Sequence, residues 1–283
     1  MTRNELWSFC VLDIDKNKRL MVKHLIESDR NIVHYCWFGK ENISERDLGF
    51  IENNKRFFKN YDFIIWNEQN FDINGCNFAR QAYEMGEYAF VSDYVRAKVL
   101  YQYGGIYLDT DVKVIRNFPN TDSFEGFAAF ERRKFLGTAV LGCKPKNKLI
   151  GKLVDYYENN DFISEDGNMD IVANVSLFTD IMLEKGLVLG GGEQEVCGIK
   201  VFSREVFFPK KLSDTEFRVT KETAAIHYCN NSWLSEREKK RGKSKLWIEV
   251  VRPLLQSLRK ILQKVIGKEK TRNIEIKLRN KLK

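Results

Sequence analysis

The chain has 283 residues, 43% of them hydrophobic and 30% charged, with only four prolines. That suffices for one large domain with a sizeable core, and it argues against long linkers and low-complexity tracts. The formal net charge of +8 hides an asymmetry: residues 234–283 hold 17 Lys and Arg against 5 Asp and Glu, which leaves the body of the chain at −4.

The longest uncharged apolar stretches, such as Phe135 to Cys143, fall far short of the ~18–20 residues that a membrane-spanning helix needs. The opening MTRNELWSFCVLDIDK is too acidic and too broken for a signal peptide, so a cytoplasmic location is expected. The six cysteines (Cys10, Cys36, Cys76, Cys143, Cys197, Cys229) show no CxxC spacing. Free, mostly buried thiols are therefore expected.

In chain order, NIVHYCWFGK (31–40) reads as a buried strand ending at a glycine turn. ISERDLGFIENNKRFFKN (43–60) has helical spacing, and YDFIIWNEQNF (61–71) is a second apolar strand. This β-α-β pattern is the mark of a parallel sheet, so the fold class is α/β. In CNFARQAYEMGEYAFVSDYVRAKVLYQYGG (76–105) Val91, Tyr94, Val95, Val99 and Tyr103 recur near helical spacing, and Gly104-Gly105 supply a C-terminal stop. GIYLDTDVKVI (105–115) reads as one strand. EGFAAFE and GTAVLGCK follow as strands, NKLIGKLVDYYENN and NVSLFTDIMLEKGL as helices, and KVFSREVFFPKK and TAAIHYCNNSW close the body. From Trp247 onward Val251, Leu254, Leu255, Leu258, Ile261, Leu262 and Val265 form an apolar helical stripe among basic residues, ending near Gly267.

The stretch SDYVRAKVLYQYGGIYLDTDVKVI (92–115) carries the chemistry. If the strand continues through Thr110, Asp109 and Asp111 point to the same side. Two adjacent carboxylates repel, and a divalent cation offsets that repulsion. Mg²⁺ or Mn²⁺ takes oxygen ligands, commonly one or two carboxylates together with substrate phosphates. Strand ends are also where open α/β sheets bind ligands. Asp93 and Arg96, three apart on a helix, form either an ordinary surface ion pair or a polar clamp for sugar hydroxyls.

S-D-Y-x-R-x-x-x-L-x-x-Y-G-G-I-Y-L-D-T-D-V resembles the signature of the DXD glycosyltransferases of the capsular-polysaccharide and α-mannosyltransferase type, glycosyltransferase family 32. It is also similar to the catalytic domain of the clostridial glucosylating toxins. IVHYCWFGK resembles the family's first strand and AIHYCNNSW its closing motif, so the likeness spans residues 31–233. The resemblance implies a GT-A fold for residues 1–233, a Mn²⁺ or Mg²⁺ ion, a nucleotide-sugar donor (UDP-sugar favoured) and retention at the anomeric carbon. By position it makes Asp111 the main metal ligand, assisted by Asp109 and His227. Asp93, Arg96, Asp109 and Asp111 become the catalytic set. Tyr35, Trp37, Gly105, Tyr107, Ser232 and Trp233 become contacts to the nucleotide-sugar. Trp37 is either a base-stacking residue or a core tryptophan, and His227 either reaches the metal or is a satisfied buried histidine. ANVSLF (173–178) stands near the family's usual small-Gly-Pro turn, a region that shapes the sugar side.

The acceptor implied is a growing surface glycan: a lipid-linked oligosaccharide or a capsular or O-antigen repeat unit. The basic tail, residues 234–283, then holds the enzyme on an anionic membrane surface through residues 236–283, peripherally at the inner face. Nucleic acid is not expected, because aromatics are not interleaved with the tail's charge. Two rival readings stand beside this one. A dehalogenase-like phosphatase wants its DxD near the N-terminus followed by Gly-Thr, whereas here Val112-Lys113 follow. A membrane-surface adaptor with a decayed sugar site would not need Asp93, Arg96, Asp109 and Asp111 all intact.

Overall fold

A computed structural model of the chain describes residues 31–121, 123–164, 172–190, 192–213 and 216–229, together with Leu254, Leu258, Ile261, Leu262 and Gly267. The chain divides into two compact units, Met1–Phe162 with Ile171–Cys229, and Ile163–Asp170 with Asn230–Lys283.

The first unit opens with β1 (Asn31–Cys36), α1 (Glu45–Asn54) and β2 (Tyr61–Trp66). Ser44 caps α1 by accepting from the Asp47 amide, which satisfies a donor the helix start leaves open. β1 and β2 pair in parallel over their whole length, so the expected β-α-β unit is present. Next come α2 (Asn77–Glu84) and α3 (Tyr88–Tyr103). The helix expected over Val91–Tyr103 is the second of these, and Gly86, at φ +73°, separates the two. Then follow β3 (Gly105–Leu108), β4 (Val112–Val114), β5 (Gly126–Arg132), β6 (Phe135–Cys143), α4 (Lys148–Asn159) and α5 (Asn174–Leu183). The unit closes with β7 (Gln194–Val196), β8 (Ile199–Phe202), α6 (Arg204–Phe207) and β9 (Ala225–His227).

Seven strands form the central sheet in the order β2-β1-β3-β6-β5-β8-β7. β2, β1, β3, β5 and β8 run one way, and β6 and β7 the other. The mainly parallel α/β architecture expected of a GT-A domain is the one observed. A core of Val33, Ile106, Leu108, Val140, Phe127 and Phe207 fills one side of the sheet. β4 and β9 form a separate two-stranded antiparallel sheet.

One expectation is corrected. GIYLDTDVKVI is not one strand: β3 stops at Leu108, the chain turns with the Val112 amide donating to the Asp109 carbonyl at 3.0 Å, and β4 leaves for the other sheet. Strand alternation therefore does not bring the two aspartates together. A four-residue turn does.

The described cysteines are free thiols. Cys36, Cys76 and Cys143 are buried, and Cys197 and Cys229 exposed. Among the described residues no helix is long and apolar enough to cross a membrane. In the tail, Leu254, Leu258, Ile261 and Leu262 are helical and exposed, and Gly267 takes φ +85°. The rest of the expected tail helix lies outside the described residues.

Candidate active site

The site grows from three elements that end at the same edge of the sheet. β3 delivers Asp109, whose amide donates to the Ala139 carbonyl at 2.9 Å and so still belongs to the β3–β6 ladder. The turn delivers Asp111. β9 pairs antiparallel with β4, His227 opposite Val112, and the Tyr228 amide donates to the Asp111 carbonyl at 3.1 Å. This short sheet brings His227, 116 positions further on, to the turn. Its Nε2 lies 3.2 Å from Asp111 Oδ1 and 3.8 Å from Asp109 Oδ2. One ligand atom from each of Asp109, Asp111 and His227 fits within a 4.8 Å cluster. Two carboxylate oxygens and an imidazole nitrogen suit a divalent cation such as Mn²⁺ or Mg²⁺. Burial lowers the His227 pKa, but hydrogen bonds to Asp111 and Cys229 outweigh it and hold the ring well above its ordinary value.

Behind the acids lies a buried arginine. Arg96, on α3, bridges Asp93 at 3.1 Å and Asp109 at 3.3 Å and donates to the Thr138 carbonyl at 2.9 Å. Its guanidinium sits 4.6 Å from the centroid of the Tyr107 ring, and the Tyr107 hydroxyl donates to Asp109 Oδ1 at 2.8 Å. Burial disfavours its charge, yet Asp109, Tyr107 and Asp93 together push its pKa further up. The pair Asp93–Arg96 is therefore not the solvated surface pair the spacing allowed. It is a buried network that fixes the rotamer of Asp109. Burial raises the Asp93 pKa against the opposing pull of Arg96 and of Asn174.

Asn174, at the first turn of α5, donates to Asp93 Oδ1 at 3.1 Å. Its own Oδ1 is buried and has no hydrogen-bond partner among the described residues. Sequence reasoning marked the stretch 173–178 as a sugar-side region but did not single out this residue. A buried acceptor without a donor is costly unless a ligand completes it.

A cleft of about 410 Å³ opens beyond the ends of β1 and β2, lined by Trp37, Ile43, Leu48, Ile65, Asn67 and Glu68 among others. Its size falls in the range of small-molecule sites. Trp37 is partly exposed there, and its indole N–H donates to the Glu41 carbonyl at 2.6 Å. It is a cleft residue and not part of the core.

Three further expected contacts, Tyr35, Gly105 and Tyr107, are packed against the protein itself. Tyr35 is fully buried in the core, and its hydroxyl accepts from Asn54 Nδ2 at 3.2 Å. Burial pushes its pKa upward. Gly105 sits at φ +91°, where a Cβ would meet the Ile32 carbonyl oxygen of β1. Tyr107 is also buried and acts on Asp109. Ser232 and Trp233 lie outside the described residues.

Residues 16–128 match the family model described as glycosyltransferase sugar-binding region containing DXD motif. The chain thus carries the sugar-binding region of a glycosyltransferase enzyme. The match covers Trp37, Asp93, Arg96, Asp109 and Asp111 and stops before His227. Among curated proteins there is no match. Among solved structures the chain is similar to "PaToxG Glycosyltransferase" at 15% identity and a TM-score of 0.40, over 61% of this chain and 80% of that one. That likeness is too low to carry an argument.

Proposed function

We propose that the chain is a metal-dependent, retaining GT-A glycosyltransferase that moves a sugar from a nucleotide-diphosphate sugar, most simply a UDP-sugar, to a growing surface glycan. The observation that carries this reading is the meeting of Asp109, Asp111 and His227 at the end of the sheet. The family-model match, which covers Asp109 and Asp111, supports it. Retention and a lipid-linked, capsular or O-antigen acceptor rest on the sequence resemblance alone.

In this reading Asp109, Asp111 and His227 hold Mn²⁺ or Mg²⁺, and the bound cation supplies charge neutralisation to the departing diphosphate. The chain's own residues do the positioning. The cleft beside Trp37 takes the nucleobase. Asp93 accepts from sugar hydroxyls while Arg96 and Asn174 hold its carboxylate in place. The unpaired Asn174 Oδ1 awaits a hydroxyl donor, which a donor sugar has in quantity. Tyr107 and Arg96 together fix Asp109, so the acid is aligned before the donor arrives. Ser232 and Trp233 complete the diphosphate side in the resemblance.

The catalytic domain is residues 1–233, and residues 234–283 form a basic tail. The tail rests on the anionic inner face of a membrane, supported by its excess of 12 positive charges and by the exposed helical Leu254, Leu258, Ile261 and Leu262. Lipid-linked acceptors would then lie within reach.

The test is hydrolysis of a panel of UDP- and GDP-sugars with Mn²⁺, with and without chelator, by wild type and Asp111→Asn. Turnover of one donor, abolished by chelator and reduced at least ~100-fold in the variant, is the expected result. Phosphomonoester cleavage with no sugar-donor turnover would overturn the reading.

A further inference from the structure

His227 has a second side. Its Nδ1 lies 3.4 Å from Cys229 Sγ, and Glu131, at the end of β5, joins them: one ligand atom each from Glu131, His227 and Cys229 lies within 4.8 Å of the others. We propose that these three residues form a second metal site, selective for a thiophilic cation of the Zn²⁺ type, back to back with the aspartate site and sharing its histidine.

The donor set argues for the ion. A thiolate, an imidazole and a carboxylate are the ligands of Zn²⁺, whereas Mn²⁺ and Mg²⁺ favour oxygen. The spacing agrees. Zn–S and Zn–N bonds of roughly 2.3 and 2.0 Å at a tetrahedral angle separate S from N by about 3.5 Å. The imidazole is already set for Nδ1 ligation. With Nε2–H directed at Asp111, 3.2 Å away, Nδ1 is left with its lone pair, the arrangement in which a carboxylate orients a metal-bound histidine. The Tyr228 ring stacks on Phe50 at 4.9 Å, and Cys229, at φ +52°, keeps its thiol beside the histidine. Cys229 is exposed and Glu131 partly so, so an ion can enter from solvent. Glu131 makes no ion pair among the described residues. Three protein ligands leave one position of a tetrahedron open.

A neutral imidazole has one lone pair. It serves Nδ1 or Nε2, not both. Zn²⁺ on the Cys229 side therefore withdraws His227 from the aspartate side, and micromolar Zn²⁺ should inhibit Mn²⁺-dependent turnover. This consequence rests on the proposed glycosyltransferase reading. The site itself does not.

The test uses the full-length, reduced chain with Co²⁺ as an optical stand-in and Zn²⁺ as competitor. The expected result is one equivalent of Co²⁺ giving a thiolate charge-transfer band that Zn²⁺ abolishes. The band should be lost in Cys229→Ser and kept in Cys197→Ser, the other exposed thiol. Glu131→Gln should weaken Zn²⁺ binding at least as much as the roughly 10–100-fold typical of losing an outer partner. Asp109→Asn should weaken Mn²⁺ binding yet keep the cobalt band, because the Nε2–H of His227 is held by Asp111 and not by Asp109, which separates failure of this site from failure of the aspartate site. A thiolate band that survives Cys229→Ser, or Zn²⁺ binding unchanged in both Cys229→Ser and Glu131→Gln, would overturn the proposal.

Discussion

His34 shows how a histidine near the site can be wholly structural. Its Nε2 pairs with the Gly104 carbonyl at 2.8 Å, and its Nδ1 accepts from the Trp66 indole at 3.0 Å. Both ring nitrogens are used in the neutral form, and a second proton would face the indole N–H. Burial lowers its pKa to about 4, against the raising effect of the Gly104 bond. In the unfolded chain the ring takes its proton near pH 6.5. The unfolded state thus binds the proton first. Stability from the neutral ring is complete above about pH 6.5 and is lost as the pH falls towards 4, by up to ~3 kcal/mol. Urea midpoints at pH 7 and pH 5 should diverge more for wild type than for His34→Gln. Equal pH dependence in the two would contradict this assignment. His34 lies within the strand expected at 31–40, but its partners were not legible, because Gly104 lies 70 positions away.

At the scale of elements, the site depends on a strand that the sequence did not separate. Val112-Lys113-Val114 reads as a continuation of Ile106-Tyr107-Leu108, since both runs place aliphatic residues at alternating positions. What divides them is the turn at Asp109 and the partners waiting for β4. β9 takes one edge. On the other, Asn54 at the end of α1 behaves as a short strand: its Nδ2 donates to the Val112 carbonyl at 2.9 Å and its Oδ1 accepts from the Val114 amide at 2.8 Å. Asn53 adds a bond to the Val114 carbonyl at 2.8 Å. No local pattern announces a helix-terminal asparagine as a strand surrogate. Asn54→Ala should leave two buried backbone groups unpaired and cost about 2–4 kcal/mol, with loss of metal affinity because β4 carries the Asp111 turn. Chemical denaturation and Mn²⁺ titration of the same variant check both effects. A fully stable variant with intact Mn²⁺ affinity would show that Asn54 does not hold the site.

At the scale of the whole molecule, the α/β class, the β-α-β opening and the DXD motif were legible because each rests on contiguous residues, whereas the turn at the motif was not. His227 could be named only through its motif, and the geometry that seats it comes from the β4–β9 pairing. Asn174 and Cys229 were not legible as site residues: one is marked by an orphaned buried oxygen, the other by a thiol turned towards a ring. The charge asymmetry was legible at once and has its own test. Replacing Leu254, Leu258, Ile261 and Leu262 together by Ser should reduce binding of the full chain to anionic vesicles at least ~10-fold. Added salt should weaken what remains, as screening shortens the reach of the basic residues. Vesicle binding unaltered by the substitutions would assign the tail another role. The most direct measurement on the central claim is Mn²⁺ binding followed by electron paramagnetic resonance, with and without UDP, in wild type, Asp111→Asn and His227→Ala. One bound Mn²⁺ that UDP tightens, and that both substitutions weaken at least tenfold, is the result expected. Mn²⁺ binding that neither substitution changes would mean that Asp109, Asp111 and His227 do not hold the cation.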